Sequence, residues 1–394
     1  MGFEYDVAIV GGCGRVGLPL GITFASRGLK VALQDLNGPA VDQINAAQMP
    51  FREDGADEAL KRLTGESLVA TTDPAVVARA EHVVIVIGTP VDEHLNPVPA
   101  VVLRLIADLA PHLVDGQHIV LRSTVYPGTT TLIERAVSNL GLDVDVSFCP
   151  ERIAEGRAMR ELTELPQLVS ASTDAAFDRA EKLFRSLSDS VIRMQPDEAE
   201  LAKLISNAWR YIKFATANQF FVMADSRGLD YERIRSALAE GYSRAADLPR
   251  AGFAAGPCLM KDTMQLAAFA DNNFPIGHSA MLVNEGLPLY LVRRLEERHD
   301  LGAMTVGLLG MAFKADSDDA RSSLSYKLKR VLGFSARRVL CHDPFVTTDA
   351  DLYPLEDVLA AADLIVIGAP HRMYGSVRFE GPVLDIWGLL DTDL

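Results

Sequence analysis

Residues 7–10 form a short apolar run that stops at Gly11-Gly12. Apolar runs of this length, bounded by glycine, read as buried strands. Residues 18–26 then suit a helix, and 30–34 a second strand. Further runs of the same kind lie at 82–87, 118–121 and 144–149. Strands alternating with helical stretches predict a doubly wound, mostly parallel sheet. From about Asp197 to Glu297 the apolar period is helical, with little strand character. Residues 198–227 read as one helix of about 30 residues, or a kinked pair. After Asp300 strands return at 305–309, 338–341, 364–367 and 382–386. The expected division is an α/β domain at 1–196, a central helical domain at 197–298 and a second α/β domain at 299–394.

Composition changes this picture little. The 394 residues are 48% hydrophobic and 23% charged, as in an ordinary globular chain. Nothing approaches the ~20 consecutive apolar residues of a membrane span. The start, Met1 to Val7, carries acids and enters a strand at once, unlike a secretory leader, so a cytoplasmic location is expected. A formal charge of −15 disfavours nucleic acid as a partner. The four cysteines are isolated, so neither a metal site nor a disulfide framework is expected. Cys13, Cys149 and Cys341 sit among strand-like apolar residues and read as buried. Cys258 differs, with Gly256-Pro257 before it and Lys261-Asp262 after it.

Gly12-Cys13-Gly14-Arg15-Val16-Gly17 follows a strand and opens a helix. Glycines there permit a tight turn, close approach to a pyrophosphate and close helix packing, and the helix N-terminus faces the phosphates. Asp35 ends the second strand, where an acid hydrogen-bonds a ribose 2′-hydroxyl and repels a 2′-phosphate. The first domain is therefore expected to be Rossmann-like and to take NAD rather than NADP.

Cys258 is expected to begin a helix, where a thiol ionises more readily, with Asp262 one turn on. Lys203 and Asn207 stand four residues apart on the long helix and share a face. Glu151 follows the 144–149 strand, at the carboxyl end where open α/β sheets bind ligands, and is placed to act as a base. Ser123-Thr124 ends another strand and is placed to position a water. In the last domain Gly310-Met311-Ala312-Phe313-Lys314 makes a second strand-to-glycine turn, and Lys314 and Arg321 are candidates for a second nucleotide's phosphates.

Taken in order, these motifs resemble the UDP-glucose/GDP-mannose dehydrogenase family of nucleotide-sugar 6-dehydrogenases. The likeness runs through Ile-Gly-Thr-Pro at 87–90, Ser-Thr-Val at 123–125, Cys-Pro-Glu-Arg at 149–152 and Glu-Gly-Arg-Ala at 155–158. It continues through Lys203 with Asn207, Gly-Pro-Cys-Leu-Met-Lys-Asp at 256–262, Met-Ala-Phe-Lys at 311–314 and Asp-Asp-Ala-Arg at 318–321. The resemblance implies two Rossmann-like domains joined by a helical domain with a long spine helix, and a homodimer through that helical domain. It implies oxidation of the C6 alcohol of a UDP-sugar to a carboxylate with two NAD and one water. Cys258 would carry the thiohemiacetal and thioester. Thr124, Asp262 and Glu151 would serve the hydrolysis, and Lys203 and Asn207 the oxyanion. Thr89, Thr124, Lys261 and Arg321 match dinucleotide contacts. Glu151, Arg152, Ile153 and Glu155 match substrate contacts, as do Phe253, Gly256, Phe313 and Lys314. An arginine reaching a neighbouring subunit's sugar would be Arg244 or Arg250.

Glucose and an N-acetylhexosamine both remain open as the sugar, because 149–152 looks like one branch and 155–158 with 258–262 like the other. The alternative is a two-electron dehydrogenase of the 3-hydroxyacid or 6-phosphogluconate type. It shares the dinucleotide domain and the Lys-x-x-x-Asn helix, but needs neither Cys258 nor a second α/β domain.

Overall fold

In the computed structural model, which describes residues 2–93 and 95–390, the chain divides into two units, Met1–Ile205 and Ser206–Leu394. The first is built on β1 (Tyr5–Val10), β2 (Val31–Gln34), β3 (Leu68–Thr71), β4 (Ala80–Ile85), β5 (His118–Leu121), β6 (Asp145–Phe148), β7 (Gln167–Ala171) and β8 (Val191–Met194). They lie in the order β3-β2-β1-β4-β5-β6-β7-β8. All neighbours are parallel except β6 and β7, which run antiparallel. The order reverses between β1 and β4, the place where a doubly wound sheet opens a ligand crevice. Helix Gly17–Ser26 is buried through its first nine residues, so it reads apolar all round.

The second unit carries β9 (Thr305–Leu309), β10 (Arg338–His342), β11 (Leu364–Ile367) and β12 (Val383–Leu384), all parallel, in the order β10-β9-β11-β12. Helices Tyr231–Ala239, Leu259–Phe269 and Pro275–Arg298 precede this sheet. The spine is one helix, Pro196–Asp225, rather than a kinked pair. Both sheets are α/β and doubly wound in the expected sense. Among the described residues no helix is long and apolar enough to cross a membrane.

One polar chain crosses the first core. His82 on β4 and His118 on β5 are buried, with their Nδ1 atoms 3.0 Å apart. Ser147 donates to the carbonyl of Ala176, so it accepts from His118 Nε2. His118 Nδ1 is then the acceptor and His82 Nδ1 the donor. The His118 ring is therefore neutral. Burial pushes His82 down to about 4 and His118 well below its usual value, although Glu81 and Asp6 pull His82 upward. The unfolded chain takes up these protons first as pH falls, so stability is lost on acidification from about 6.5 toward 4. The urea midpoint of the wild type should fall between pH 7 and 5, as the unfolding free energy drops by at most about 1.4 kcal/mol per pH unit for each proton. The His82→Gln, His118→Gln double variant should show a flatter profile. Identical profiles would contradict the assignment.

Candidate active site

In the first unit the glycine turn is forced by its neighbours. A Cβ on Gly12 would lie 2.7 Å from the Ile9 carbonyl oxygen, and one on Gly17 2.7 Å from that of Gly11. Gly14 faces open space, with no atom nearer than 3.7 Å. Asp35 caps the turn, accepting the Cys13 N–H at 3.0 Å and the Asn37 N–H at 3.0 Å, and stays only half-buried. Arg15 lies over the Phe51 ring at 4.9 Å, and Val16 immediately precedes the helix. An open backbone cradle at a helix N-terminus beside a half-exposed acid fits a dinucleotide.

The carboxyl ends of β4, β5 and β6 bring several expected residues together. The Thr89 hydroxyl donates to the Thr124 carbonyl. Glu151 N–H donates to the Arg122 carbonyl at 3.3 Å, joining the two loops. Arg122, which the motifs did not single out, is buried completely. Its Nε donates to Glu151 at 2.9 Å, Nη1 to the Cys149 carbonyl at 3.0 Å and Nη2 to Gln167 at 3.1 Å. Its guanidinium also lies over the Phe184 ring at 4.7 Å. The other Glu151 oxygen accepts the N–H groups of Arg152 and Ile153, at 2.6 and 3.0 Å. Glu151 is thus an oriented carboxylate with both oxygens engaged, not an exposed loop acid. Arg152 donates to the Pro166 carbonyl, and partial burial lowers its pKa. Glu155 is half-buried nearby in sequence, and Glu53 accepts the N–H groups of Gly156 and Ala158.

Lys203 is half-buried on the spine helix, one turn before Asn207. In the second unit, Asn207 is buried and donates to Asp262 Oδ2 at 2.5 Å. Asp262 is 1% exposed; its other oxygen faces the Lys261 ammonium at 3.2 Å, off the line of a hydrogen bond. Cys258 is the cap residue of helix Leu259–Phe269, and its carbonyl accepts the Asp262 N–H at 2.8 Å. Its thiol is exposed, unlike the other three. Burial pushes Cys13 and Cys149 up to about 12 and Cys341 up to about 11, which leaves Cys258 as the accessible thiol of the four.

The loop before the thiol is fastened at three points. Asn218 of the spine exchanges two hydrogen bonds with the Gly252 backbone, each 2.9 Å, and is itself held by Asn284. Trp387 covers Gly252, where a Cβ would lie 2.2 Å from the indole, and meets Phe253 edge-on at 6.0 Å. The Phe313 ring covers Gly256, whose φ of +95° and 2.7 Å clearance leave no room for a side chain. Lys314 lies beside that ring at 5.6 Å. Arg321 is spent on Asp319, with Nη2 at 2.6 Å from the carboxylate. The two candidate arginines now differ. Arg250 donates to the Gly388 carbonyl at 3.1 Å and pairs with Glu232 at 3.2 Å. Arg244 is exposed over the Tyr242 ring at 5.0 Å.

Comparison with known proteins agrees with this geometry. Three sequence profiles of the UDP-glucose/GDP-mannose dehydrogenase family match: the NAD binding domain over 5–188, the central domain over 197–286 and the UDP binding domain over 307–392. The chain is 30% identical to a UDP-N-acetyl-D-mannosamine dehydrogenase of Pyrococcus horikoshii, over 94% of this chain and 90% of that protein. It is 28% identical to a UDP-glucose 6-dehydrogenase of Haloferax volcanii, over 95% and 93%. The solved UDP-glucose dehydrogenase of Pyrobaculum islandicum superposes with a TM-score of 0.90 at 27% identity, covering 98% of this chain and 94% of that one. The fold and the glycine cradle define an NAD-binding oxidoreductase. The chain belongs to the UDP-glucose/GDP-mannose dehydrogenase family, with an N-terminal NAD-binding domain and a C-terminal UDP-binding domain.

Proposed function

We propose that this protein oxidises the C6 alcohol of a UDP-sugar to the carboxylate in two successive two-electron steps, through a thioester on Cys258. The observation that carries this reading is an exposed thiol at a helix N-terminus, one turn from a buried carboxylate tied to Asn207. Residues 1–196 would bind NAD, 197–298 would carry the spine and the thiol, and 299–394 would bind the sugar nucleotide. Gly12, Gly14, Arg15, Val16, Gly17 and Asp35 would hold NAD, which when bound supplies the hydride acceptor for both steps.

Loss of a hydride and the hydroxyl proton from the C6 alcohol gives the aldehyde; the Cys258 sulfur, as its thiolate, attacks that carbon, forming a C–S bond, and the carbonyl oxygen becomes an oxyanion. Lys203 and one amide N–H of Asn207 stabilise it; the other N–H is committed to Asp262. Loss of hydride from that carbon leaves the thioester. Water adds to the thioester, the C–S bond breaks, and the thiolate returns as the carboxylate forms. The family resemblance gives the orienting of this water to Asp262 and Thr124 and the acceptance of its proton to Glu151, whose carboxylate Arg122 orients. Overall one alcohol and one water give one carboxylate, two hydrides passed to the acceptor and three protons. Covalent capture keeps the aldehyde from escaping. The sugar is glucose or an N-acetylhexosamine, the two classes named among the relatives. No disulfide joins the four cysteines, and the reading places the protein in the reducing cytoplasm.

Cys258→Ser should abolish formation of the acid while leaving NAD binding within about twofold. Unchanged turnover would sink the thioester route.

The reading includes a homodimer. Ile205, Trp209, Phe220 and Met223 are exposed and fall on one face of the spine helix by its 3.6-residue period. Apolar stripes of this kind mark protein interfaces. Arg244, exposed and not tied to an acid as Arg250 is, is the better choice to reach a neighbouring subunit's sugar. Sedimentation should give a dimer for the wild type and a monomer for Trp209→Glu. A monomeric wild type would contradict the interface.

A further inference from the structure

The second strand of each sheet ends in an aspartate that turns back on the glycine loop of the first strand. Asp35 does this after β2 and stays half-buried. Asp343 does it after β10 and is enclosed. Its Oδ2 accepts the N–H groups of Met311 and Ala312 at 2.7 and 2.9 Å, and its Oδ1 those of Phe345 and Val346 at 2.8 and 3.0 Å. A fifth donor is His371 Nε2 at 3.0 Å. His371 has no exposed surface and meets the Phe345 and Tyr374 rings at 5.1 and 5.5 Å. Its Nδ1 accepts the Asp316 N–H at 2.8 Å, so the ring proton is on Nε2 and points at Asp343.

Segment 311–316 is therefore pinned at both ends by one buried pair. At its far end Asp316 has a φ of +55°, in the left-handed region that aspartate enters more readily than most non-glycine residues, and its N–H is held there by His371. Between the pins lie Phe313 and Lys314. A carboxylate with five donors has no acceptor direction left for a ribose hydroxyl. Asp343 is thus a brace where Asp35 keeps an open side.

We propose that Asp343 and His371 are positioning residues for sugar-nucleotide recognition. They touch no ligand; they fix the 311–316 loop so that Phe313 and Lys314 present a ring and an ammonium to the nucleotide sugar. This rests on the reading of Phe313 and Lys314 as substrate contacts in the UDP-binding domain.

The test is calorimetric titration of the full-length chain with UDP and, separately, with NAD. His371→Gln keeps a donor for Asp343 and removes the acceptor for Asp316. It should weaken UDP binding about tenfold and leave NAD binding within about twofold. Lys314→Ala should weaken UDP binding by itself. Added to His371→Gln it should cost clearly less than the product of the single effects, because the ammonium is already misplaced. A merely structural role would give multiplicative effects, and that result, or unchanged UDP affinity in His371→Gln, overturns the proposal. Should His371→Gln fail to fold, His371→Asn, which retains an acceptor for the Asp316 N–H, carries the same comparison. A wild type that binds NAD but not UDP overturns the reading of the domain, and the proposal with it. A wild type that binds UDP unaffected by Lys314→Ala removes the substrate-contact reading instead.

Discussion

The buried hydrogen bond between Asn207 and Asp262 fixes where helix Leu259–Phe269, and the Cys258 thiol at its head, sits on the spine. A carboxylate 1% exposed is tolerated only when its charge is answered, and here an amide and an ammonium answer it. Asp262 is the fourth residue of helix Leu259–Phe269, so pairing it with the spine sets that helix and the thiol at its head. The Asn218–Asn284 pair fastens the turn at Gly252 in the same way, one polar network further along the spine. Together they turn a long helix into a template for the thiol loop.

Both α/β sheets solve the same backbone problem. A glycine turn after a first strand leaves N–H groups without strand partners, and an aspartate from the second strand answers them. The two sites then diverge by burial. Asp35 satisfies two N–H groups and remains partly open. Asp343 satisfies four and is sealed by His371. One sheet leaves its acid partly open to solvent, the other closes its acid off.

Much of this was legible in the chain because it rests on local signals. The strands at 118–121, 305–309 and 364–367 are fully buried runs of mostly apolar residues, and the pattern placed them at the observed residues. Strands β3, β7 and β8 were not foreseen. β7 is buried but carries Gln167 and Ser170, whose polar groups find partners in Arg122, Leu162 and the Phe148 carbonyl. β8 has no buried residue and so no apolar run to read. Arg122 was equally hidden: its partners lie 27 to 45 residues away, and only the folded sheet brings them round it. The choice between Arg244 and Arg250 likewise turned on contacts of Arg250 with Gly388 and Glu232, distant in sequence.

The central claim is a four-electron oxidation at one carbon. It is tested most directly by the NADH formed at completion from a limiting amount of UDP-glucose or of a UDP-N-acetylhexosamine. The account predicts two NADH per sugar nucleotide consumed, with a uronic acid as product. One NADH per substrate, with aldehyde or ketone accumulating, would contradict it and favour a two-electron dehydrogenase.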